Sequence, residues 1–262
     1  MALCAERSDG MEFNMIDVHS HIIPLVDDGS KSFLVTEKMF KAAKDNGFAA
    51  IFATPHYFGA ESICREDMVG HFEKIKEYAK EFDIDLYLGN EVYICPEIAG
   101  LVDNKIVSSM NDTRYVLIEL PRNNAVNYLY DTIFELKSFD IVPIIAHPER
   151  YGFVIEDYKR LFKLAEAGAL FQLNSGSLVG DYGSEVKNTA KTLLKHNIYQ
   201  FMGSDAHSYD RYRAYNTAVE YLKKISGAET VKLLTETNPE KMLRNEDIST
   251  NIEYRKKKWF GR

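Results

Sequence analysis

The stretch IDVHSHIIPLVDDG, residues 16–29, contains a pattern that recurs along most of the chain. Its first residues form a short apolar run typical of a buried β-strand, and two histidines, His19 and His21, close that run. Side chains at positions i and i+2 of a strand lie on the same face. Both imidazoles can therefore reach one metal ion from the end of the strand.

Further short apolar runs alternate with amphipathic stretches of helical spacing. The predicted strands are residues 16–20, 49–54, 86–91, 115–120, 141–146, 170–174 and 200–204. The predicted helices are residues 33–45, 69–81, 126–138, 155–166, 184–195, 212–224 and 230–243. Strands that alternate with helices form parallel sheets with crossover helices, so we expect an α/β barrel or a doubly wound sheet.

The chain shows no internal linker rich in proline, glycine or serine, and we expect a single domain over residues 15–250. Residues 1–14 lack a pattern and precede a second methionine, so we expect a disordered extension or tag. Within residues 251–262, the last eight, RKKKWFGR, include five basic residues and no acidic one. We expect a solvated basic tail there, with peripheral contact to an anionic membrane as the alternative.

The composition limits the class of protein. The 262 residues are 45% hydrophobic and 27% charged, with a net charge of −7. An acidic surface repels phosphates, which argues against nucleic-acid binding. Apolar runs are shorter than the ~20 residues a bilayer span needs, and three cysteines without paired spacing do not suggest a disulfide framework. We therefore expect a cytoplasmic globular protein.

Six of the seven predicted strands end in a histidine or a carboxylate. Besides His19 and His21, these residues are His56, Glu91, Glu119, His147, Asp205 and His207. The carboxyl ends of parallel strands meet at one mouth of a barrel, where these side chains are expected to converge. A carboxylate at the end of a buried strand is costly to desolvate, and a metal ion removes that cost.

The type of ligand indicates the type of metal. Histidine nitrogens mixed with carboxylates, without cysteine, suit Mn²⁺, Fe or Zn²⁺ at a catalytic site. The candidates outnumber the ligands of one ion, so we expect two or three ions, an arrangement suited to phosphoester hydrolysis. Arg150, Arg211 and Arg213 lie close in sequence to the last histidines, and a guanidinium can bind a phosphate dianion through two parallel hydrogen bonds.

Other phosphate-handling classes lack their motifs. A cysteine-based phosphatase needs an arginine six positions after its cysteine, but Gly10, Gly70 and Leu101 occupy those positions here. The chain contains no Gly-Lys pair, so a P-loop is excluded as well.

The segments HSH, ATPH, GNE, IE, AHPER and SDAH, in this order, resemble the PHP (polymerase and histidinol phosphatase) superfamily. More narrowly, IDVHSHIIPLVDDG, AHPERY and NSGSLVGDYG are similar to segments of the bacterial capsule- and exopolysaccharide-locus tyrosine-protein phosphatases. The resemblance extends from about residue 15 to residue 243. It implies a distorted, TIM-like (β/α)7 barrel with a trinuclear centre that usually holds Mn²⁺.

The resemblance also implies how the ligands divide among the metals. The first metal would be held by His19, His21, Glu91 and Asp205. The second would share Glu91 and be held also by Glu119 and His147. The third would be held by His56, His207 and an acid of the VDDG turn, best matched by Asp28. Arg150 matches a phosphate-binding arginine.

The same resemblance implies hydrolysis of phosphotyrosine by a water activated on the metals, without a phosphoenzyme. The implied substrate is the phosphorylated tail of a bacterial tyrosine kinase that controls capsule or exopolysaccharide synthesis. The sequence leaves two alternatives open: a small-molecule phosphomonoesterase such as a histidinol phosphatase, and a metal-binding regulator without catalysis.

The chain departs from the family pattern at two positions. Tyr212 stands where an arginine is usual, so either Arg211 or Arg213 would have to take that role. Tyr57 follows ATPH where a histidine or a basic residue is common. It could stack on a substrate ring or be a plain surface tyrosine.

Overall fold

Strands and helices alternate along the parts of the chain that the computed structural model describes, residues 14–123 and 125–252. The strands are β1 (Met15–Ser20), β2 (Phe48–Ala53), β3 (His56–Tyr57), β4 (Asp85–Leu88), β5 (Glu91–Tyr93), β6 (Tyr115–Glu119), β7 (Val142–Ala146), β8 (Leu170–Asn174) and β9 (Phe201–Gly203). The helices are α1 (Phe33–Asp45), α2 (Arg65–Ala79), α3 (Ile98–Asp103), α4 (Leu129–Ser138), α5 (Gly152–Glu156), α6 (Arg160–Glu166), α7 (Ser175–Val179), α8 (Ser184–Lys195), α9 (Tyr209–Ser226), α10 (Ala228–Lys232) and α11 (Asn238–Leu243). The expected extension, residues 1–14, and the expected basic tail, residues 251–262, fall almost wholly outside the described residues.

All strand pairs are parallel and form two sheets, ordered β1–β2–β4 and β3–β5–β6–β7–β8–β9. A bridge between Ser20 and Ala206 joins β1 to the chain just after β9. On the other side, the chain of β2 continues into β3 and that of β4 continues into β5. With β2–β3 and β4–β5 each counted as one interrupted strand, seven parallel strands surround one interior. The predicted α/β fold with parallel strands is confirmed.

The predicted strand 86–91 is wrong in one respect, because it is divided between the two sheets. β4 ends at Leu88 and Glu91 begins β5, so Glu91 does not end a strand. Asn90 turns the chain by donating a hydrogen bond from Nδ2 to the Pro55 carbonyl (3.0 Å) and accepting one at Oδ1 from the Ser108 N–H (2.8 Å). A polar residue that binds two distant backbone groups gives no signal in local apolar spacing.

Helix boundaries also differ from the prediction where local turns decide them. α2 begins at Arg65, before the predicted start, with two acidic residues in its first turn. The predicted helix 155–166 is two helices, α5 and α6, separated by Asp157 in extended conformation. The predicted helix 230–243 contains a π-helical turn, Leu233–Thr237, between α10 and α11. Within the described ranges, none of the helices is long and apolar enough to cross a bilayer.

Apolar side chains fill the interior toward the amino ends of the strands. They are Ile16, Val18, Ala50, Phe52, Met110, Tyr115, Leu117, Ile144, Ala146, Leu170, Phe201 and Met242. Inward positions recur every second residue along a strand. The next ones toward the carboxyl ends are polar: Glu119 on β6, and Gln172 and Asn174 on β8. The polar end of the interior therefore lies at the carboxyl ends of the strands.

An irregularity in β1 brings His19 against this interior. Between Asp17 and Ser20, β1 advances three residues while its partner β2 advances two, so β1 carries a bulge. A bulge changes the face on which the following side chains lie. His19 packs so closely on β9 that a Cβ on Gly203 would lie 2.8 Å from the His19 Cβ. Residue 203 must therefore be glycine.

Candidate metal centre

The structure brings all nine predicted metal ligands together at the carboxyl ends of the strands. Seven of them supply donor atoms to three groups, and within each group every atom lies within 4.8 Å of the others. The first group is His19, His21 and Glu91; the second is His56, Glu91 and Glu119; the third is His21, Asp28, His56 and His207. The two remaining candidates, His147 and Asp205, lie against these groups.

Glu91 is the centre of the cluster and is fully buried. Its Oε2 atom lies 3.3 Å from His19 Nε2, 3.4 Å from His21 Nε2 and 3.0 Å from His56 Nδ1. None of these nitrogens donates a hydrogen bond to Oε2, which is left as a buried oxygen without a hydrogen-bond partner. A buried carboxylate oxygen in that position carries a large desolvation cost. Nitrogen and oxygen donors arranged in this way fit a divalent cation.

His147 and Glu119 complete the side of the cluster next to β6 and β7. His147 Nε2 lies 3.0 Å from Glu91 Oε1 and 4.0 Å from Glu119 Oε1. Glu119 Oε2 lies 3.7 Å from His56 Nδ1. The buried Nδ1 atom of His147 has no hydrogen-bond partner. Glu91 is therefore placed between two sets of possible ligands.

Asp205 borders the first group and is oriented by two neighbours. Its Oδ1 atom lies 3.6 Å from His19 Nε2 and 3.4 Å from His21 Nε2. Its Oδ2 atom accepts hydrogen bonds from Arg150 Nη1 (2.5 Å) and Asn174 Nδ2 (2.9 Å). The backbone of Asp205 has a φ of +51°, a left-handed conformation that costs energy for a non-glycine residue. Arg150 and Asn174 therefore hold the Asp205 carboxylate in place at this strained turn.

Asp28 and His207 form the exposed edge of the cluster. Asp28 Oδ1 lies 3.1 Å from His207 Nε2 and 3.5 Å from His56 Nε2. The Asp28 side chain is 69% exposed, whereas Glu91 is fully buried. The third group of donors is therefore the one most open to solvent.

Two residues that the sequence analysis missed orient the first pair of histidines. Gln172 Oε1 lies 3.0 Å from His19 Nδ1, and Asp27 Oδ2 lies 2.8 Å from His21 Nδ1. A partner on Nδ1 sets the ring orientation and leaves Nε2 to face the cluster. Asp27 also accepts a hydrogen bond from the backbone N–H of His56 at 3.1 Å. Of the two acids in the VDDG turn, Asp28 therefore lies in the donor cluster, and Asp27 supports the cluster by holding His21.

Burial and neighbouring charges shift the pKa of four groups in the cluster. Burial disfavours a charged His19, but the carboxylates of Glu91 and Asp205 outweigh it and raise its pKa to about 9. The pKa of Glu91 is held well below its usual range, because the His19 charge and the hydrogen bond from His147 to Oε1 outweigh its burial. Burial and the nearby Glu91 charge raise the pKa of Glu119 to about 7. Burial and the Arg150 charge lower the pKa of His147 to about 4.

Arg150 lies inside the site. Its side chain is only 9% exposed, and its guanidinium lies 4.2 Å from the centre of the Tyr182 ring. Arg211 lies 5.4 Å from the same ring and is paired with Asp181. The two predicted phosphate-binding arginines therefore share one tyrosine at the rim of the cluster.

The structure separates Arg211 from its neighbours in sequence. Tyr212 is fully buried and its hydroxyl lies 2.9 Å from Ser20 Oγ. Arg213 is mostly exposed and pairs with Asp210 at 3.5 Å. Of the two arginines that the sequence left open, Arg211 is the one that lies beside Arg150 and Tyr182.

Comparison with known proteins identifies the family. Residues 15–244 match the family described as "Capsular polysaccharide synthesis, CpsB/CapC". The chain belongs to the CpsB/CapC family.

Relatives in the CpsB/CapC family are similar over nearly their full length. The tyrosine-protein phosphatase YwqE of Bacillus subtilis is 35% identical, over 89% of this chain and 93% of the relative. The tyrosine-protein phosphatase CpsB of Streptococcus pneumoniae is 29% identical, over 89% of this chain and 100% of the relative. A chain from the crystal structures of YwqE and CpsB, described as metal-dependent tyrosine phosphatases, superposes with a TM-score of 0.85 at 31% identity, over 92% of this chain and 100% of that one. The predicted resemblance to this family is confirmed.

One sequence expectation changes in this CpsB/CapC chain. The sequence made Tyr57 a candidate for stacking on a substrate ring, but Tyr57 is partly buried against the outer core, the apolar cluster between the strands and the helices. Side chains alternate along a strand, so Tyr57 lies on the face of β3 opposite to His56. The aromatic residue on the His56 side is the next one, Phe58, whose ring centre lies 4.8 Å from that of His56.

Proposed function

We propose that this chain is a metal-dependent protein-tyrosine phosphatase that uses Mn²⁺. The observation that carries the proposal is Glu91 Oε2, a buried oxygen without a hydrogen-bond partner among three imidazole nitrogens. Arg150, a nearly buried cation, lies on the other side of Asp205. Relatives named tyrosine-protein phosphatases, 29–35% identical over most of the chain, support the same activity.

We assign the metal ligands from the three groups of donors. Glu91 is shared by the first two groups, with Asp205 added to the first and His147 to the second. The third group is His21, Asp28, His56 and His207. In this division His56 belongs to both the second and the third group. The family resemblance implied that His56 holds the third metal only. Cations bound there supply positive charge for the phosphoryl oxygens and lower the pKa of a water molecule.

The side chains of the protein account for binding and orientation. Arg150 and Arg211 form a cationic rim in which a guanidinium can hold two phosphoryl oxygens. Asn174 and Arg150 fix the Asp205 carboxylate, and Gln172 and Asp27 fix the rings of His19 and His21. With the ligands already oriented, little reorganisation is needed when charge develops on the phosphoryl group.

We propose that the physiological substrate is the phosphorylated tyrosine tail of a bacterial tyrosine kinase. The reaction would take place in the cytoplasm and would regulate capsule or exopolysaccharide synthesis. The description of the family as one of capsular polysaccharide synthesis supports the role in capsule synthesis.

Metal affinity is expected to increase with pH. The pKa of His19 is raised to about 9 and that of His21 well above its usual value, so this pair of rings retains protons at neutral pH in the metal-free protein. A histidine must be neutral to bind a metal, so binding releases protons. Below these pKa values the Kd for Mn²⁺ should fall about tenfold per pH unit for each proton displaced. Calorimetry from pH 6.5 to 8, in buffers of different ionisation enthalpy, measures the Kd for Mn²⁺ and the number of protons released. An affinity independent of pH and buffer contradicts the prediction.

The proposed function is tested by phosphate release from a phosphotyrosine peptide. Metal-stripped protein is assayed with and without Mn²⁺, beside histidinol phosphate as a second substrate. We expect turnover of the peptide that depends on Mn²⁺. Turnover of histidinol phosphate alone would indicate a small-molecule phosphatase, and Mn²⁺ binding without turnover of either substrate would indicate a regulator.

A further inference from the structure

Two aromatic side chains form a layer directly outside the metal cluster. β3 and β5 pair in parallel, with His56 opposite Glu91. Along β5 the position two residues after Glu91 lies on the same face and holds Tyr93. Phe58, the first residue after β3, has its ring centre 5.5 Å from that of Tyr93. The Phe58 ring also lies 4.8 Å from the His56 ring, so three aromatic rings extend from the cluster toward solvent.

Phe58 has a free surface but a fixed backbone. Its side chain is 46% exposed although two rings cover part of it. Its backbone N–H donates a hydrogen bond to Ser62 Oγ at 2.6 Å, and the next residue, Gly59, has a φ of +74°. This turn returns the chain toward the core and keeps the phenylalanine above His56.

We propose that Phe58, supported by Tyr93, is the residue that selects aromatic phosphate esters by packing against the ring of the substrate. The inference rests on the proposed function, because it assigns the recognition of the ring in phosphotyrosine. In an aryl phosphate one ester oxygen separates phosphorus from the ring. A phosphoryl group at the layer of His56 and Glu91 therefore places the ring one layer further out, beside Phe58.

The chemistry of this contact distinguishes it from the phosphate contacts. Aromatic rings attract one another at centroid separations of about 4.5–7 Å, in stacked or edge-to-face arrangements. A phosphoserine side chain offers no ring, so it gains nothing from Phe58. The arginines and the donor cluster act on the phosphoryl group in both cases, and only the aromatic layer distinguishes the two esters.

Binding of two phosphonates to the Mn²⁺-loaded protein tests the inference without depending on turnover. Phenylphosphonate carries a ring and ethylphosphonate does not. We expect Phe58→Ala to weaken phenylphosphonate about tenfold and ethylphosphonate less than about twofold. Phe58→Tyr should retain the preference for the phenyl compound. Phe134→Ala, which removes a phenylalanine that is 71% exposed on α4, is the matched control and should change neither affinity.

The results separate this inference from the proposed function. Equal losses for the two phosphonates, or an unchanged affinity for phenylphosphonate in Phe58→Ala, would overturn the role of Phe58. A preference for the phenyl compound that is lost in Phe58→Ala supports it, even when the wild type does not hydrolyse phosphotyrosine. In that case the proposed activity is wrong and the aromatic site stands. Circular dichroism and the Mn²⁺ affinity of each variant show whether the fold and the cluster are intact.

Discussion

Glu91→Gln is expected to reduce kcat/KM for a phosphotyrosine peptide by about 10³-fold, a larger effect than the loss of any other single ligand of the cluster. Glutamine keeps the shape of the side chain but removes the charge shared by the first two groups of donors. Oε2 lies within 3.4 Å of three imidazole nitrogens, so the loss is felt across the cluster rather than at one ligand. Affinity for Mn²⁺, measured by calorimetry, should fall at least about tenfold. About tenfold is the lower end of the loss expected when a residue that only orients a metal ligand is replaced.

The same substitution has a second readout in the metal-free protein. The charge of Glu91 is the leading influence that raises the pKa of His19 against its burial. In Glu91→Gln the pKa of His19 should therefore fall from about 9 toward or below its ordinary value, which an NMR titration of the histidines measures. Glu220→Gln, on the exposed face of α9, is the control for the loss of one carboxylate. Full turnover by Glu91→Gln with unchanged Mn²⁺ affinity would exclude Glu91 as a shared ligand.

The position of the cluster was predictable from sequence because strand periodicity determines it. A short apolar strand followed by a histidine or a carboxylate recurs along the chain, and parallel strands bring such ends to one edge. That argument needs only the strand and its direction, and it holds for His19, Glu119 and His147 although their neighbours are far apart in sequence. The roles of these residues as metal ligands remain a proposal.

The orienting residues were not predictable in the same way. Asp27 and Asp28 are adjacent in sequence, and only the turn that follows β1 decides which of them reaches His21 Nδ1. Gln172 gives a polar inward position on β8, but its contact with His19 depends on the bulge in β1. A contact set by long-range packing and a one-residue shift leaves no trace in apolar spacing.

The sequence indicated Tyr57 rather than Phe58 because β3 is short. β3 has only two residues, too few for a pattern of alternation to be recognised in the sequence. Once the pairing of His56 with Glu91 is known, alternation assigns Tyr57 to the outer core, and the ring of Phe58, just after the strand, lies 4.8 Å from that of His56. Side-chain direction near a strand end is therefore decided by the neighbouring strand.

Arg150→Ala is expected to lower kcat/KM for the same peptide by about 10²-fold, with Arg150→Lys recovering part of the loss. Arg150 is nearly buried, donates to Asp205 Oδ2 and lies 4.2 Å from the Tyr182 ring centre, so its guanidinium is fixed on two sides. Lysine restores the charge but not the planar fork that holds a carboxylate or a phosphoryl group through two hydrogen bonds. The size of the recovery separates the contribution of charge from that of geometry.

Assays at increasing Mn²⁺ concentration distinguish two ways in which Arg150 could act. If it acts only by orienting Asp205, saturating Mn²⁺ should restore turnover in Arg150→Ala, because only metal affinity has been lost. If its guanidinium also binds the phosphoryl group, the loss should persist at saturating Mn²⁺ and inhibition by inorganic phosphate should weaken in parallel. We expect the second result, because the Arg211 guanidinium lies beside the same Tyr182 ring and offers a second cation to the same group. Arg213→Ala, in a mostly exposed arginine paired with Asp210, should stay within about twofold of the wild type, as surface ion pairs contribute little. An Arg150→Ala variant as active as Arg213→Ala would contradict the assignment of Arg150 to the site.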